Sequence, residues 1–204
     1  MHSNSKLLFE KYAKAYFRPC VKVLEIGPDG APSTYQKIVN EPSIIWHTLD
    51  IRNDASLTYR ASSEYQFPID SGSYDIVLSG QVLEHVRRIW VWVHELARVC
   101  KPGGLVVTIN PVSWPYHEAP VDCWRVFPEG MRTLYEDASL RVVFSRWESL
   151  EGNGRRKLPG QSAEWQTRKM RMAYRLLGLF GFPTECAYDT ITVGEKSDIE
   201  PPSC

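Results

Sequence analysis

An α/β fold, with a parallel sheet covered by helices on both faces, follows from three features of the sequence. Short β-branched runs alternate with helix-period segments at the spacing of βαβ crossovers. One of these runs, Leu105-Val106-Val107-Thr108-Ile109-Asn110, is nearly all apolar, as a strand buried on both faces must be. At 204 residues, 43% hydrophobic and 24% charged, the chain has the length and composition of one globular domain, 1–204, and wholesale disorder is excluded.

The elements follow in chain order. Residues 1–18 read as an amphipathic helix that caps the fold, with Phe9, Tyr12, Tyr16 and Phe17 as an aromatic stripe. They contain neither an apolar signal core nor a small-residue cleavage site. Residues 21–27 form a strand that ends in Gly27, and a helix follows over Thr34–Asn40. A second strand over 43–51 ends on the acid Asp50, and a third occupies 73–79. The spacing of Val82, Val86, Ile89, Val93, Leu96 and Val99 predicts one long helix from Val82 to Cys100. Lys101-Pro102-Gly103-Gly104 stops it before the apolar strand 105–110. A loop over 111–127 leads to a helix near 128–138 and a strand over 140–148. A Gly-rich turn at 151–154 opens a basic helical insertion, 151–182, with its helix near 162–179. A last strand lies near 186–194, and the tail 201–204 is frayed.

Lys plus Arg and Asp plus Glu both number 24, which excludes the basic excess of a nucleic-acid coat protein. No apolar run approaches the ~20 residues of a membrane-spanning helix. The five cysteines are scattered and contain no C-x-x-C pair, so neither a disulfide framework nor a structural zinc site is expected, and a reducing cytoplasm is the natural compartment.

The strand-to-turn sequence Glu25-Ile26-Gly27-Pro28-Asp29-Gly30 suits close approach of the backbone to a ligand at the carboxyl end of a parallel strand. Asp50, about 20 residues further on, is placed to accept ribose hydroxyls. A dinucleotide site is disfavoured. The second and third glycines of its G-x-G-x-x-G turn are missing, and Glu25 sets a carboxylate where phosphate would be repelled.

Val23–Gly30, Leu49–Ile51, Phe67–Val86 and Glu95–Asn110 occur in a fixed order that resembles the class I S-adenosylmethionine-dependent methyltransferases, small-molecule type, with their LEHV and KPGG motifs. The resemblance covers roughly residues 20–130. It implies a Rossmann-like seven-stranded sheet, mostly parallel with an antiparallel last strand. It also implies S-adenosyl-L-methionine as cofactor and S-adenosyl-L-homocysteine as product. Carried over by position, Glu25 and Gly27, with the turn residues Asp29 and Gly30, flank the methionine part. Asp50 takes the ribose and Ile51 packs on adenine. Ser63 and Glu64 stand where Asp-Ala is usual, so the adenine amino contact is either weaker or made by Glu64. Ser79 and Gln81 line the sulfonium side. Asp29 and Ala31 depart from the usual glycines, and Asp29 is read as a cap of the next helix.

The 111–127 loop holds the candidate chemistry, and its H-x-x-P-x-D-x-W-R segment resembles that of some of these methyltransferases. His117 is the candidate base, because a neutral imidazole accepts a proton near neutral pH. Asp122 would orient it, and Arg125 would hold an acidic or hydroxyl-rich substrate. The plainer alternative is an Asp122–Arg125 ion pair that pins the loop and leaves His117 exposed. Trp114 and Trp124 suit stacking on a sugar or aromatic ring, and Tyr16 would cover the pocket. Glu84-His85 reads as polarity at a helix N-terminus, with no metal expected. The resemblance leaves a divalent ion on these two residues as the alternative.

The expected activity is O-methylation of a small polar acceptor such as a sugar or other hydroxylated metabolite. Competing readings are an RNA methyltransferase that uses the basic 155–175 helix and a cofactor-binding module without turnover. That helix also leaves peripheral membrane contact open, though docking by its apolar face (Trp165, Met172, Leu176, Leu179) is the simpler expectation.

Overall fold

The computed structural model describes residues 3–114, 116–118, 121–151, 168–180 and 187–197. Seven strands form one sheet: β1 (Lys22–Ile26), β2 (Ile45–Asp50), β3 (Tyr59–Arg60), β4 (Tyr74–Gly80), β5 (Cys100–Ser113), β6 (Leu140–Glu148) and β7 (Tyr188–Lys196). Their order is β3-β2-β1-β4-β5-β7-β6. The pairs from β3 to β5 are parallel, and β7 runs antiparallel to both β5 and β6. The expected seven-stranded sheet with an antiparallel last strand is therefore present. Its shortest member, the two-residue β3, carries no periodic signal that a sequence reading could find.

Successive residues of the central strands enter opposite cores, because side chains alternate across a strand. Leu24, Val77 and Val106 face one layer, with Trp92, Val93 and Leu96 of α3 (Ile89–Val99) and Met131 and Tyr135 of α4 (Pro128–Asp137). Val23, Ile76, Leu78 and Val107 face the other layer. There they meet Leu8 of α1 (Ser3–Leu8), Phe9, and Tyr35 of α2 (Thr34–Val39). Burial on both faces explains the near-continuous apolar runs.

The N-terminal helix is not one regular α-helix. α1 passes into a π-helical turn over Phe9–Ala13 and a 3-10 turn over Lys14–Tyr16. Its anchor is Asn4, which is fully buried. Its amide donates to the Glu148 carbonyl (2.9 Å) and Asp189 Oδ2 (2.7 Å), and its oxygen accepts from Leu150 N (2.7 Å).

The single helix expected over 82–100 divides. Leu83–His85 is a 3-10 turn, Val86 is extended, and α3 starts only at Ile89. The loop after β5 causes the break. Cys123 N donates to the Glu84 carbonyl (2.7 Å) and Trp124 Nε1 to the Val86 carbonyl (2.9 Å), so both carbonyls are engaged by the loop. The Lys101–Gly104 stop lies within β5, where pairing with β4 is interrupted between Tyr74 and Ile76.

α5 (Arg168–Leu179) matches the later part of the expected basic helix, while 152–167 and 181–186 lie outside the described residues. Met172, Leu176 and Leu179 are exposed, against the expectation that the apolar face docks. No described helix is long and apolar enough to cross a membrane.

Candidate active site

A cavity of about 800 Å³ opens at the carboxyl ends of β1, β2 and β4, where open parallel sheets bind ligands. Gly27 and Pro28 form one wall, Asp50, Ile51 and Glu64 a second, and Gln81, Val82 and His85 a third. Gly27 adopts φ +67°, and a Cβ there would lie 2.4 Å from Val82 Cγ2, so the position admits only glycine without rearrangement. Gln81, though not glycine, also takes a positive φ of 62°. Its side chain is drawn inward by a bond from Nε2 to Asp189 Oδ1 (3.1 Å).

Of the ten residues assigned to the cofactor, Gly27, Asp50, Ile51, Glu64 and Gln81 line this cavity. The other five are not among the residues of its wall. Glu25 is buried under the turn and accepts from Ser33 Oγ (2.5 Å) and Trp46 Nε1 (2.8 Å). Desolvation pushes its carboxyl up to about 7. Asp29 accepts from both the backbone N and the hydroxyl of Thr34, so it does help cap α2, alongside Ser33, which accepts from Gln36 N. Its carboxyl is held below the ordinary range by the Thr34 bonds, against the opposing effect of partial burial. Gly30 is exposed. Ser63 Oγ accepts from Tyr65 N (3.1 Å) in the turn that presents Glu64. Ser79 is buried in the sheet, and its hydroxyl has no hydrogen-bond partner among the described residues.

The sequence reading missed Arg52, which lines the cavity. Its Nε reaches Asp50 Oδ2 (2.7 Å) and its Nη2 the Pro28 carbonyl (2.7 Å), which ties the two turns together. It also missed Asp189, fully buried on β7 and joined to Asn4 and Gln81. β7 also carries Thr190, Thr192, Glu195 and Lys196, so no local pattern singles this acid out.

The loop after β5 folds back on the Leu83–His85 turn. Asp122, whose side chain is 2% exposed, accepts from Arg125 Nη1 (2.5 Å) and Nη2 (2.7 Å) and from the backbone N of His117 (2.9 Å). These donors hold its carboxyl below the ordinary range despite burial. Arg125 also donates to the Trp114 and Trp124 carbonyls, so the ion pair of the plainer alternative is present and engages the Arg125 guanidinium within the loop. His117 Nδ1 lies 3.4 Å from Asp122 Oδ2, and its ring meets that of His85 edge-on, with centroids 5.0 Å apart. Trp124 packs half-buried against the core, and Trp114 is half-buried in the loop. Tyr16 packs against the second core and is not among the residues of the cavity wall.

Glu84 does not cap an exposed helix end. It is 1% exposed, and neither carboxylate oxygen has a side-chain hydrogen-bond partner among the described residues. Desolvation first, then the nearby charge of Asp189, pushes its carboxyl up to about 8. Glu84, His85 and His117 each offer a ligand atom, and the three atoms lie within 4.8 Å of one another.

Residues 39–108 match a family model described as a methyltransferase domain. A methyltransferase of uncharacterised function from Mycobacteroides abscessus is 41% identical over 54 residues, which is 26% of this chain and 21% of that protein. A ubiquinone biosynthesis O-methyltransferase from Chelativorans is 36% identical over 62 residues, covering 29% and 24%. These matches thus span less than a quarter of either relative. The structure superimposes on a SAM-dependent methyltransferase from Archaeoglobus fulgidus with a TM-score of 0.63 and 16% identity, over 94% of this chain and 92% of that one. Residues 39–108 carry the sequence of a methyltransferase domain, and the fold that encloses them is the methyltransferase fold.

Proposed function

We propose that the protein binds S-adenosyl-L-methionine in the 800 Å³ cavity and transfers its methyl group to the oxygen of a small hydroxylated acceptor, releasing S-adenosyl-L-homocysteine. One observation carries the reading. Gly27, Asp50 and Ile51 line one cavity at the ends of adjacent parallel strands, in a chain whose residues 39–108 match a methyltransferase domain. Asp50 offers the ribose a carboxylate, with Arg52 beside it, and Ile51 and Phe67 offer adenine an apolar slot. The sulfonium makes the methyl group electrophilic, so the protein must position the acceptor and, for a hydroxyl, activate it. His117, held by Asp122, is the proposed activating group, with Trp114 and Trp124 beside the acceptor. Arg125 serves the acceptor indirectly, by ordering this loop. The exposed thiols Cys20 and Cys123 fit a reducing, cytoplasmic setting.

Titration calorimetry with S-adenosyl-L-methionine tests the cofactor. Saturable binding is expected, and Asp50→Ala should lose about 1.5–3 kcal/mol for each charge-assisted hydrogen bond removed. Labelled cofactor incubated with pools of sugars and other hydroxylated metabolites, followed by mass identification of the product, tests the reaction. His117→Ala should lower kcat by about 10²–10⁴-fold at unchanged cofactor affinity. Absence of cofactor binding by the unaltered protein overturns the proposal, and a methylated nitrogen or RNA product overturns the acceptor assignment.

A further inference from the structure

We infer that Asp189 is a positioning residue, which turns the side-chain amide of Gln81 so that its oxygen serves the cavity and accepts from the ammonium end of a bound amino-acid group. The orientation of Gln81 stands on the geometry below. The ligand group that meets it rests on the cofactor proposed above.

The bonds that fix the amide start in the N-terminal segment. Asn4 Oδ1 accepts from Leu150 N, and its Nδ2 donates to the Glu148 carbonyl, so this amide has one orientation only. Asn4 Nδ2 also donates to Asp189 Oδ2 (2.7 Å), and Gln81 Nε2 lies 3.1 Å from Asp189 Oδ1. One amide donor on each oxygen suits the ionised carboxylate, which accepts and cannot donate. The NH2 group of Gln81 must therefore be the end that faces Asp189. Its Oε1 is left as the group the side chain offers the cavity, and among the described residues no donor reaches that oxygen.

The backbone gives a second, independent reason. Gln81 takes φ 62°, a left-handed conformation that costs a residue with a side chain free energy and persists only where its surroundings impose it. Its N donates to the Ile109 carbonyl (2.7 Å). The preceding Gly80 lies against Tyr35, where a Cβ would collide with the phenol oxygen, and that oxygen is bonded to Ser5 Oγ (2.7 Å). Asn4 and Ser5, both fully buried, thus reach the Gly80–Gln81 corner by two routes, one to the side chain and one to the backbone. Glycine would take this φ without strain, so a glutamine here points to a use for its side chain.

Charge decides which ligand group suits that oxygen. A methionine group has two charged ends, an ammonium that donates and a carboxylate that accepts. Gln81 Oε1, backed by the Asp189 carboxylate, attracts the first and repels the second. The one arginine on the cavity wall, Arg52, is bonded to Asp50 and the Pro28 carbonyl. An amide turned the other way would present N–H and favour the carboxylate end. Asp189, which is fully buried and not among the residues of the cavity wall, thereby decides which end of the zwitterion lies beside β4.

The test uses the full chain and compares S-adenosyl-L-homocysteine with methylthioadenosine, which keeps the adenosine and the thioether but lacks the amino-acid group. Asp189→Asn preserves shape but offers Gln81 an N–H, so the Gln81 amide turns over. By calorimetry this variant should bind S-adenosyl-L-homocysteine at least about 10-fold more weakly and methylthioadenosine within about 2-fold of the unaltered protein. Adding Gln81→Glu to Asp189→Asn returns an acceptor to the cavity, its other oxygen accepting the new N–H, and should recover most of the lost affinity. Gln81→Met, at a half-buried position, removes the acceptor without touching Asp189 and should show the same selective loss. It guards against failure of the buried variant to fold, and far-UV circular dichroism checks each protein. A merely structural Asp189 would weaken both ligands alike and could not be rescued at position 81. Equal loss of both ligands, full S-adenosyl-L-homocysteine affinity in Asp189→Asn, or no recovery in the double variant overturns the inference. Urea denaturation tests the pairing without ligand. Gln81→Glu alone sets two carboxylates face to face and should lower the midpoint, and Asp189→Asn should abolish that loss. If the unaltered protein binds neither ligand, the cofactor reading falls and this denaturation cycle alone decides whether Asp189 orients Gln81. If it binds both and Asp189→Asn causes no selective loss, the cofactor reading stands and the inference falls.

Discussion

At the scale of single residues, Glu25 shows how the fold changes what a carboxylate does. Its side chain is buried within β1, and both of its hydrogen bonds fall on one oxygen, from Ser33 and Trp46. Burial raises the folded carboxyl from an ordinary 4.5 to about 7, the two donors oppose that rise, and Asp29 adds to it. The folded chain therefore keeps a proton that the unfolded chain releases in this range. The stability contributed by Glu25 is complete below about pH 4.5 and is lost as pH rises through about 7. Urea denaturation of the cofactor-free protein should show a decline of up to about 3 kcal/mol from this group between about pH 5 and pH 8. Glu25→Gln keeps an acceptor for both donors and should flatten that decline, whereas an unchanged slope in this variant would refute the assignment. At this scale the site was partly legible. Gly27, Asp50, Ile51, Glu64 and Gln81 were readable because each is tied to the end of a strand or to a fixed motif position. Arg52 and Asp189 were not, because their places depend on partners 24 and 108 residues away, Pro28 and Gln81.

At the scale of elements, α3 sets the Glu64–Phe67 side of the cavity through one carboxylate. Glu95 Oε1 accepts from Phe67 N (2.6 Å) and Arg98 Nη2 (2.7 Å), and its Oε2 accepts from Arg98 Nε (2.7 Å). Arg98 in turn donates to the Ile69 carbonyl (2.8 Å). The helix thus grips the connection that places Glu64 and Phe67 on the cavity wall. Glu95→Ala leaves a buried N–H without its acceptor and should cost about 1–3 kcal/mol of stability. It should also weaken binding of S-adenosyl-L-homocysteine, while Glu95→Gln, which still accepts from Phe67 N, should recover most of both. Thermal denaturation and calorimetry on the two variants check this, and equal behaviour of the two would show that the clamp does not act through Phe67 N. The start of α3 itself was misread in the sequence for a physical reason. Val82 and Val86 continue the helical spacing, but Val86 is extended and the loop's donors engage the Glu84 and Val86 carbonyls.

At the scale of the whole molecule, the N-terminal segment is part of the core. Leu8, Phe9, Ala13 and Phe17 are all buried against the sheet, with Phe9 packed on Phe17 and Tyr35 at 5.2 and 4.5 Å. Each large apolar side chain buried this way contributes about 1.5–3 kcal/mol, and whole domains are stable by only about 5–15 kcal/mol. Deleting residues 1–17 should therefore abolish cooperative unfolding and yield aggregated chain. Gel filtration and a thermal melt followed by circular dichroism check this, and a truncated protein that melts like the intact one would show the segment to be dispensable.

The alternation of apolar runs with helical periods was sufficient to determine the α/β class and the parallel central strands. These depend on local spacing and on the need to bury both faces of a sheet. Only the tertiary structure decided how the loop over 111–127 is used. The sequence reads His117 as a base oriented by Asp122 and Glu84 as polarity at a helix N-terminus. Folding instead brings both to His85, across 32 residues of chain, sets the two imidazole rings edge to face, and buries the Glu84 carboxylate with no hydrogen-bond partner among the described residues. Burial, charge pairing and ring orientation are properties of groups distant in the chain, and no local pattern encodes them.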